Sequence, residues 1–441
     1  MEKYKPLIDD WQAFKQQAEK HPLQGLRKNR LKARSDFEDK LSETFDLEES
    51  GWNSNVYRVS DETPGKSMLH WRGEYYVQEE SAALPVTVLD PQPGEKVLDM
   101  CAAPGGKCTQ MAARMENKGL IVANDDSAQR MKSLHANVYR TGSKIIEATN
   151  YDGRNIPEDE KFDRVLVDAP CSGEGDRYYR NFRAADEGES KGLQSLQKDL
   201  LKKAGRLVKE GGTVVYSTCT LTPTENEAVV SEIVEETDLE LEMIETEAEH
   251  VRGVENFEDE CFGEEMQKTV RVYPHHMESG MIYVAKLRKT GSLPEREESE
   301  CSESSSSNKA EEYMQGRFGV DPEKVNLEKI NGDYWLCSDE ISGLESETRG
   351  IRAVRDMDIG LKPTTYFLQL LQDEVTENIV AVSESDLEDF SENRMIEADL
   401  SEKGYVTLRF QDRIIGCGFY MDGLVSNRVP EGRLEELVDT F

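Results

Sequence analysis

Cys171 follows FDRVLVDAP and Cys219 closes GGTVVYSTC, so each thiol stands just beyond an apolar run of strand length. Adjacent parallel strands lie about 4.8 Å apart, which lets both thiols face one pocket. A thiolate there is a nucleophile, provided that a helix terminus or a cation lowers its pKa. Free cysteine also serves as a small buried hydrophobe. That structural role is expected of Cys108, Cys261, Cys301, Cys337 and Cys417. Asp168 ends the first of the two runs, one strand length from the other.

A second group lies upstream, where KVLDMC (96–101) runs into Cys101-Ala102-Ala103-Pro104-Gly105-Gly106-Lys107. Glycines let a ligand approach the backbone closely, and the N-terminus of a following helix favours a negative group such as a carboxylate. Asp125 ends the next strand about 20 residues beyond Gly105, the interval at which an acid takes ribose hydroxyls. The pattern is not GxGxxG, and Pro104 fits a dinucleotide fingerprint poorly. A nucleoside cofactor without pyrophosphate suits it better.

These residues need a scaffold that puts strand ends at one edge. Strands are expected at 96–101, GLIVAN (119–124), KIIEAT (144–149), 162–170 and 211–219, with helices near 107–116, 127–140 and 193–209. Near-continuous apolar strands separated by helices imply a mostly parallel α/β sheet covered on both faces. In such sheets ligands bind beyond the carboxyl ends of the strands. LELEMI (239–244) and MIYVAKL (281–287) are available to complete it, one of them antiparallel. A Ser/Glu-rich stretch over 290–312 has no hydrophobic period and reads as a linker. Beyond it, GYVTLRF (404–410) and RIIGCGFYM (413–421), with turns at Gln411-Asp412 and Asp422-Gly423, predict a small β-rich module.

The segments VLDMCAAPGGK (97–107), VLVDAPCSGEG (165–175) and YSTCTLTPTENEAVV (216–230) resemble the NOL/NOP/Sun family of RNA cytosine-5 methyltransferases. The likeness extends to RKNRLK (27–32) and GEYYVQEESAALP (73–85), and covers most of 25–290. The β-rich module is similar to a PUA-like RNA-binding domain through GYVTLRFQDRIIGCGFY. The resemblance implies a Rossmann-like class I methyltransferase core with a small α+β N-terminal region. The implied domains are an RNA-binding region over 1–80, the methyltransferase over 81–289, the linker over 290–312 and the PUA-like domain over 313–441. It implies S-adenosylmethionine as cofactor, held by the loop 101–107, Asp125, Arg130, Asp152 and Asp168. From the residues alone, Arg130 is equally a solvated helix residue, Asp152 a turn former, and Lys107 either a helix-associated charge or a carboxylate contact.

For catalysis the resemblance makes Cys219 the nucleophile, Cys171 the residue assisting product release, and Asp168 the partner of the cytosine amino edge or N3. The runner-up makes Cys171 the attacking thiol. A non-catalytic RNA-binding assembly factor is the alternative of another class. Partners implied are tRNA or rRNA, with RNA contacts expected from Arg27, Lys28, Arg30 and Lys32 in LRKNRLKAR. After CSGEG the chain departs from the family pattern, and Arg177, Arg180 and Arg183 stand there as phosphate contacts or as a charged loop. His275-His276 lacks metal-ligand spacing, so no metal is expected. No CxxC pair, secretory signal or long apolar run is present, which points to a cytoplasmic protein, and nothing demands more than a monomer.

Charge is the opposing observation. A net charge of −34 repels a polyanion, whose affinity for proteins normally comes from Lys and Arg releasing counterions. A salt-rich cell interior reconciles the two, because molar salt screens charges beyond about 3 Å. Folding and activity should then persist in molar KCl, measured by circular dichroism and turnover across a salt series; aggregation at molar KCl would sink this account.

Overall fold

The computed structural model describes residues 2–20, 23–60, 63–173, 187–293, 308–358 and 360–429. Arg177, Arg180, Arg183, Cys301 and most of the Ser/Glu-rich stretch lie outside them.

The catalytic half is built on strands β1 (Lys96–Asp99), β2 (Leu120–Asn124), β3 (Ile146–Thr149), β4 (Phe162–Asp168), β5 (Val208–Thr218) and β6 (Ile282–Lys289). Their order in the sheet is β3-β2-β1-β4-β5-β6. The first five are parallel and β6 runs antiparallel to β5. The chain therefore leaves β1 toward β2 on one side and returns to β4 on the other, and a ligand crevice opens at that reversal. Both later runs turn out antiparallel, since Leu239–Glu242 also pairs antiparallel with β6.

Successive residues of each strand point to opposite faces, and both faces are buried as the apolar runs require. Val97, Ile121 and Ala123 pack under α1 (Gly106–Arg114) and α2 (Ala128–Thr141) through Met111, Ala112, Met131, Leu134 and Val138. Leu98, Val122, Val165 and Val167 pack on the opposite side under α3 (Glu187–Leu207) and α4 (Glu227–Glu236) through Leu200, Leu201, Ala204, Val229 and Ile233. Ser127 caps α2 by accepting from the Arg130 amide, and Gly142 in the left-handed region ends it.

The N-terminal region is a four-stranded antiparallel sheet with Gln24–Lys28 between Val56–Val59 and Tyr75–Val77. The C-terminal part carries a four-stranded and a five-stranded sheet. In the latter, Gly404–Phe410 and Arg413–Met421 pair as expected. Asp422 and Gly423 both have positive φ, 53° and 85°, the signature of a tight hairpin turn.

The stretch 338–349, within the expected C-terminal domain, lies on the methyltransferase sheet rather than apart from it. Thr348–Arg349 pairs antiparallel with β3, Ser342 donates to Glu147, and Leu344 is buried among the core residues beneath α3. The reason is that β3 would otherwise be an open edge, with unpaired backbone groups.

The N-terminal and C-terminal parts are joined by buried charges. Arg413 donates to Glu74 at 3.0 Å and to Asp36 at 2.9 Å, while Arg72 donates to Glu74 at 2.7 Å and to the Ile414 carbonyl. Arg413 and Glu74 are fully buried. Removing one partner of such a cluster leaves a charge in a low-dielectric site. Arg413→Met is expected to lower unfolding stability by about 3 kcal/mol in urea titration, and a loss below about 1 kcal/mol would show that these charges do not hold the two parts together.

Candidate active site

The turn after β1 is shaped by two glycines. Gly105 has φ +111°, a conformation that a side chain rarely adopts, and it precedes α1 directly. A Cβ on Gly106 would stand 3.3 Å from Gln78 Oε1 of the N-terminal sheet. Asp125, at the end of β2, accepts from the Ala103 amide at 3.1 Å and the Ser127 amide at 3.0 Å. Arg130 lies 3.4 Å from the same carboxylate and donates to the Ala103 carbonyl. Loop, acid and helix start are thereby tied together. Asp152 caps the turn Gly153–Asn155 and holds Arg154 in a two-pronged contact at 2.9 and 2.6 Å.

Beneath the loop lies Asp99, the last residue of β1, with no exposed surface. No side chain among the described residues hydrogen-bonds to its oxygens; the Cys101 backbone amide is the group that faces them. Burial first, and then the Asp168 carboxylate, push its pKa up to about 7, against the pull of Lys107. Asp99 is not among the site residues expected from the sequence, although an acid ending a buried strand is its signal.

The second half of the site comes from β4 and β5, whose pairing sets Asp168 opposite Ser217. Asp168 accepts from Lys107 Nζ at 2.6 Å and from Ser217 Oγ at 2.7 Å. Just beyond, Cys171 Sγ and Cys219 Sγ are 3.0 Å apart, and the Cys219 amide donates to Cys171 Sγ at 3.4 Å. Burial opposes charge on Lys107, yet Asp168, Asp99 and Cys219 hold its pKa above the ordinary lysine value. A persistent ammonium in turn favours a thiolate nearby. Other cysteines are kept as neutral thiols by burial: Cys101 and Cys108 are pushed well above the usual range, and Cys337 and Cys417 up to about 12. Cys261 differs from the buried role expected of it, being exposed on a short hairpin.

The run Glu225-Asn226-Glu227 holds the cysteine loops, a role not expected from the sequence. Glu225 accepts from the Ser172 amide at 3.0 Å, Gln197 at 2.9 Å and Ser190 at 3.0 Å. Asn226 donates to the Thr220 carbonyl at 2.9 Å and accepts from Thr218 Oγ1 at 2.5 Å. Glu227 pairs with buried Arg271, which donates to the Leu221 carbonyl at 2.9 Å. The available signal was three polar residues crowded between Cys219 and the apolar face of α4.

Two sequence expectations are corrected. Arg27 and Lys32 are not surface cations for RNA, at 4% and 8% exposure. Arg27 donates to Gln78, the Gly106 carbonyl and Thr109, fastening the N-terminal sheet to α1. Lys32 donates to the Arg140 carbonyl at 3.1 Å, and burial drives its pKa well below the lysine value. Lys28 pairs with Glu38 at 2.5 Å, while Arg30 is exposed. Docking consumes the charges of Arg27 and Lys32 and leaves Arg30 to solvent.

His275 and His276 converge on Asp9 at 3.0 and 3.1 Å. The Tyr273 amide donates to His276 Nδ1 at 3.1 Å, so the proton of the neutral ring sits on Nε2 and faces Asp9. That tautomer has no lone pair for a cation at Nε2. The pair anchors the N-terminal segment, which also packs through Trp11 and Phe14 near Tyr273.

Residues 86–288 match the family described as 16S rRNA methyltransferase RsmB/F, and residues 1–80 match the N-terminal domain of 16S rRNA methyltransferase RsmF. The tRNA (cytosine(49)-C(5))-methyltransferase of Pyrococcus abyssi is 38% identical over 297 residues, covering 66% of the chain and 95% of that protein. The chain belongs to the RsmB/F methyltransferase family. The ribosomal RNA small subunit methyltransferase F of Psychromonas ingrahamii is 31% identical over 405 residues, covering 83% of the chain and 80% of that protein. A solved structure, the methyltransferase homolog protein from Pyrococcus horikoshii, superposes with TM-score 0.57 at 32% identity, covering 63% of the chain and 90% of its own. In this RsmB/F member, Asp99, Lys107, Asp125, Asp168, Cys171, Cys219 and Glu225 all fall inside the family match. No helix among the described residues is long and apolar enough to cross a membrane.

Asp99 makes a pH prediction. Its folded pKa of about 7 exceeds the ordinary 3.8, so between these values the folded state binds a proton that the unfolded chain has released. Its contribution to stability is therefore lost as pH rises through about 7. Relative to wild type, Asp99→Asn should gain stability between pH 5 and pH 8, by an amount on the order of a few kcal/mol, in urea unfolding without added ligand. A difference between the two proteins that does not change with pH would rule out a buried carboxyl with a raised pKa here.

Proposed function

We propose that the protein transfers a methyl group from S-adenosylmethionine to C5 of a cytosine in tRNA or rRNA, through a covalent bond between Cys219 and C6 of the base. The observation that carries this reading is the pair of thiols 3.0 Å apart beside the Lys107–Asp168 ion pair, at the carboxyl ends of β4 and β5. Relatives named for tRNA cytosine-C5 and for small-subunit rRNA methylation support both the base and the two RNA classes.

The loop fits the cofactor. Asp99, Asp125, Asp152 and Asp168 outnumber Lys107, Arg130 and Arg154 around it, which suits a ligand bearing a sulfonium and an ammonium. Asp99 adds a buried carboxyl with no side-chain hydrogen-bond partner among the described residues. Residues 101–107, Asp125, Arg130, Asp152 and Asp168 would hold the group. When bound, it supplies the methyl as an electrophile.

C5 of cytosine is too weak a nucleophile to accept that methyl unaided. Addition of the Cys219 thiolate to C6 makes C5 enamine-like. Lys107 favours the thiolate, and Asp168 is suited to bind the amino edge or N3 as charge develops on the ring. Loss of the C5 proton then returns the electron pair to the C5–C6 bond, and the C6–S bond breaks toward sulfur. Cys171, in contact with Cys219, assists that release. The Cys219 amide pointing at Cys171 Sγ is the one feature that favours the reverse assignment, with Cys171 attacking.

Incubating the protein with S-adenosylmethionine and tRNA or rRNA containing 5-fluorocytidine tests both assignments, because fluorine blocks loss from C5. Wild type should yield an RNA–protein band on a denaturing gel, and Cys219→Ala should abolish it while cutting turnover on normal RNA roughly a thousandfold or more. Loss of the band with Cys171→Ala alone would transfer the attack to Cys171. Cofactor binding with no band for any RNA would favour a non-catalytic binding factor.

A further inference from the structure

The two thiols stand on separate loops, and something must set the distance between them. The Cys219 loop is held by Asn226 at the Thr220 carbonyl and by Arg271 at the Leu221 carbonyl. The Pro170–Ser172 loop is held differently. Its Ser172 amide donates to Glu225 Oε2, and its Pro170 carbonyl accepts from Gln197 at 2.9 Å. Gln197 also donates to Glu225 Oε2. A cross-link between Ser172 Oγ and Thr220 Oγ1 at 2.8 Å joins the loops directly.

We propose that Glu225 is a positioning residue that holds Cys171 against Cys219 and thereby governs release of the methylated base. It is fully buried, and its hydrogen-bond donors among the described residues are all neutral. Its carboxylate is surrounded by three neutral donors, from Ser172, Gln197 and Ser190. A buried carboxylate met by neutral donors gains less than one met by a cation, so what these three bonds supply is geometry. Oε2 faces two groups that can only donate, an amide N–H and a side-chain NH2, so what the position requires is an acceptor at a fixed reach. Glu225 touches neither thiol in the hydrogen-bond network; it acts through Ser172, the residue next to Cys171. Its own backbone belongs to the segment that follows Cys219, with its carbonyl taken by Tyr216 Oη at 2.6 Å. One side chain therefore couples the two loops.

Position and charge make opposite demands, which makes the proposal testable. Glutamine can set its carbonyl oxygen where Glu225 Oε2 stands and donate its NH2 to Ser190 Oγ, which is able to accept. Aspartate keeps the charge and falls short by one methylene. This inference rests on the reading in which Cys219 attacks and Cys171 assists release. In that scheme a displaced Cys171 leaves addition intact and slows the breaking of the C6–S bond.

The experiment uses full-length protein, S-adenosylmethionine and unmodified substrate RNA, with Glu225→Gln, Glu225→Asp and Cys171→Ala beside wild type. Cofactor affinity by calorimetry reports intact folding. Glu225→Asp should accumulate the RNA–protein adduct and lose at least tenfold in kcat with cofactor affinity unchanged, while Glu225→Gln stays within threefold of wild type. A defective glutamine variant, or an aspartate variant that turns over normally, overturns the positioning role. Absence of adduct with Cys171→Ala would instead overturn the underlying assignment of Cys171 to release, so the two failures are distinguishable.

Discussion

Parallel pairing of β4 with β5, Asp168 opposite Ser217, is the constraint from which the site follows. It ends two buried strands at the same height, and each chain must then turn outward over the same edge. The turns carry Cys171 and Cys219, and neighbouring β1 delivers Lys107 at the start of α1. None of these side chains needs to be brought from a distance. A shift of one residue in the register would send Ser217 to the other face and break its contact with Asp168.

Around that edge the protein spends charge internally. Arg27, Lys32, Arg72, Arg271 and Arg413 are all buried, most of them on carboxylates or backbone carbonyls. Buried ion pairs add little net stability, because desolvation consumes the Coulombic gain. What they do here is fix how one part sits on another: Arg27 fastens the N-terminal sheet to the cofactor loop, and Arg413 fastens it to the C-terminal hairpin. An acidic protein that uses its cations as fasteners has fewer to offer a polyanion. That sharpens the dependence of RNA binding on screening or on the residues outside the described segments.

The C-terminal part is more than an appended module. Thr348–Arg349 closes the edge at β3, and Ser342 and Arg349 meet Glu147 on that strand. Burial raises the pKa of Glu147, which the Ser342 contacts and Arg349 oppose. The methyltransferase sheet and the C-terminal part thus share a backbone ladder and a charge, so their relative placement is set by hydrogen bonds as well as by packing.

The sequence by itself determined the parallel sheet, the glycine turn before α1, and the two cysteines with Asp168 and Asp125, because each depends on local pattern: apolar runs of strand length, and residue types placed where strands end. It also carried the family signature. It did not disclose that Arg27 and Lys32 point inward, since a basic run reads alike whether it faces solvent or a carbonyl. The edge strand at 348–349, the pairing of Asp9 with His275 and His276, and the grip of Glu225 on Ser172 were likewise decided only in the tertiary structure. Each joins residues far apart in the chain through single hydrogen bonds or ion pairs, and no periodicity in a sequence records which distant donor will face which acceptor.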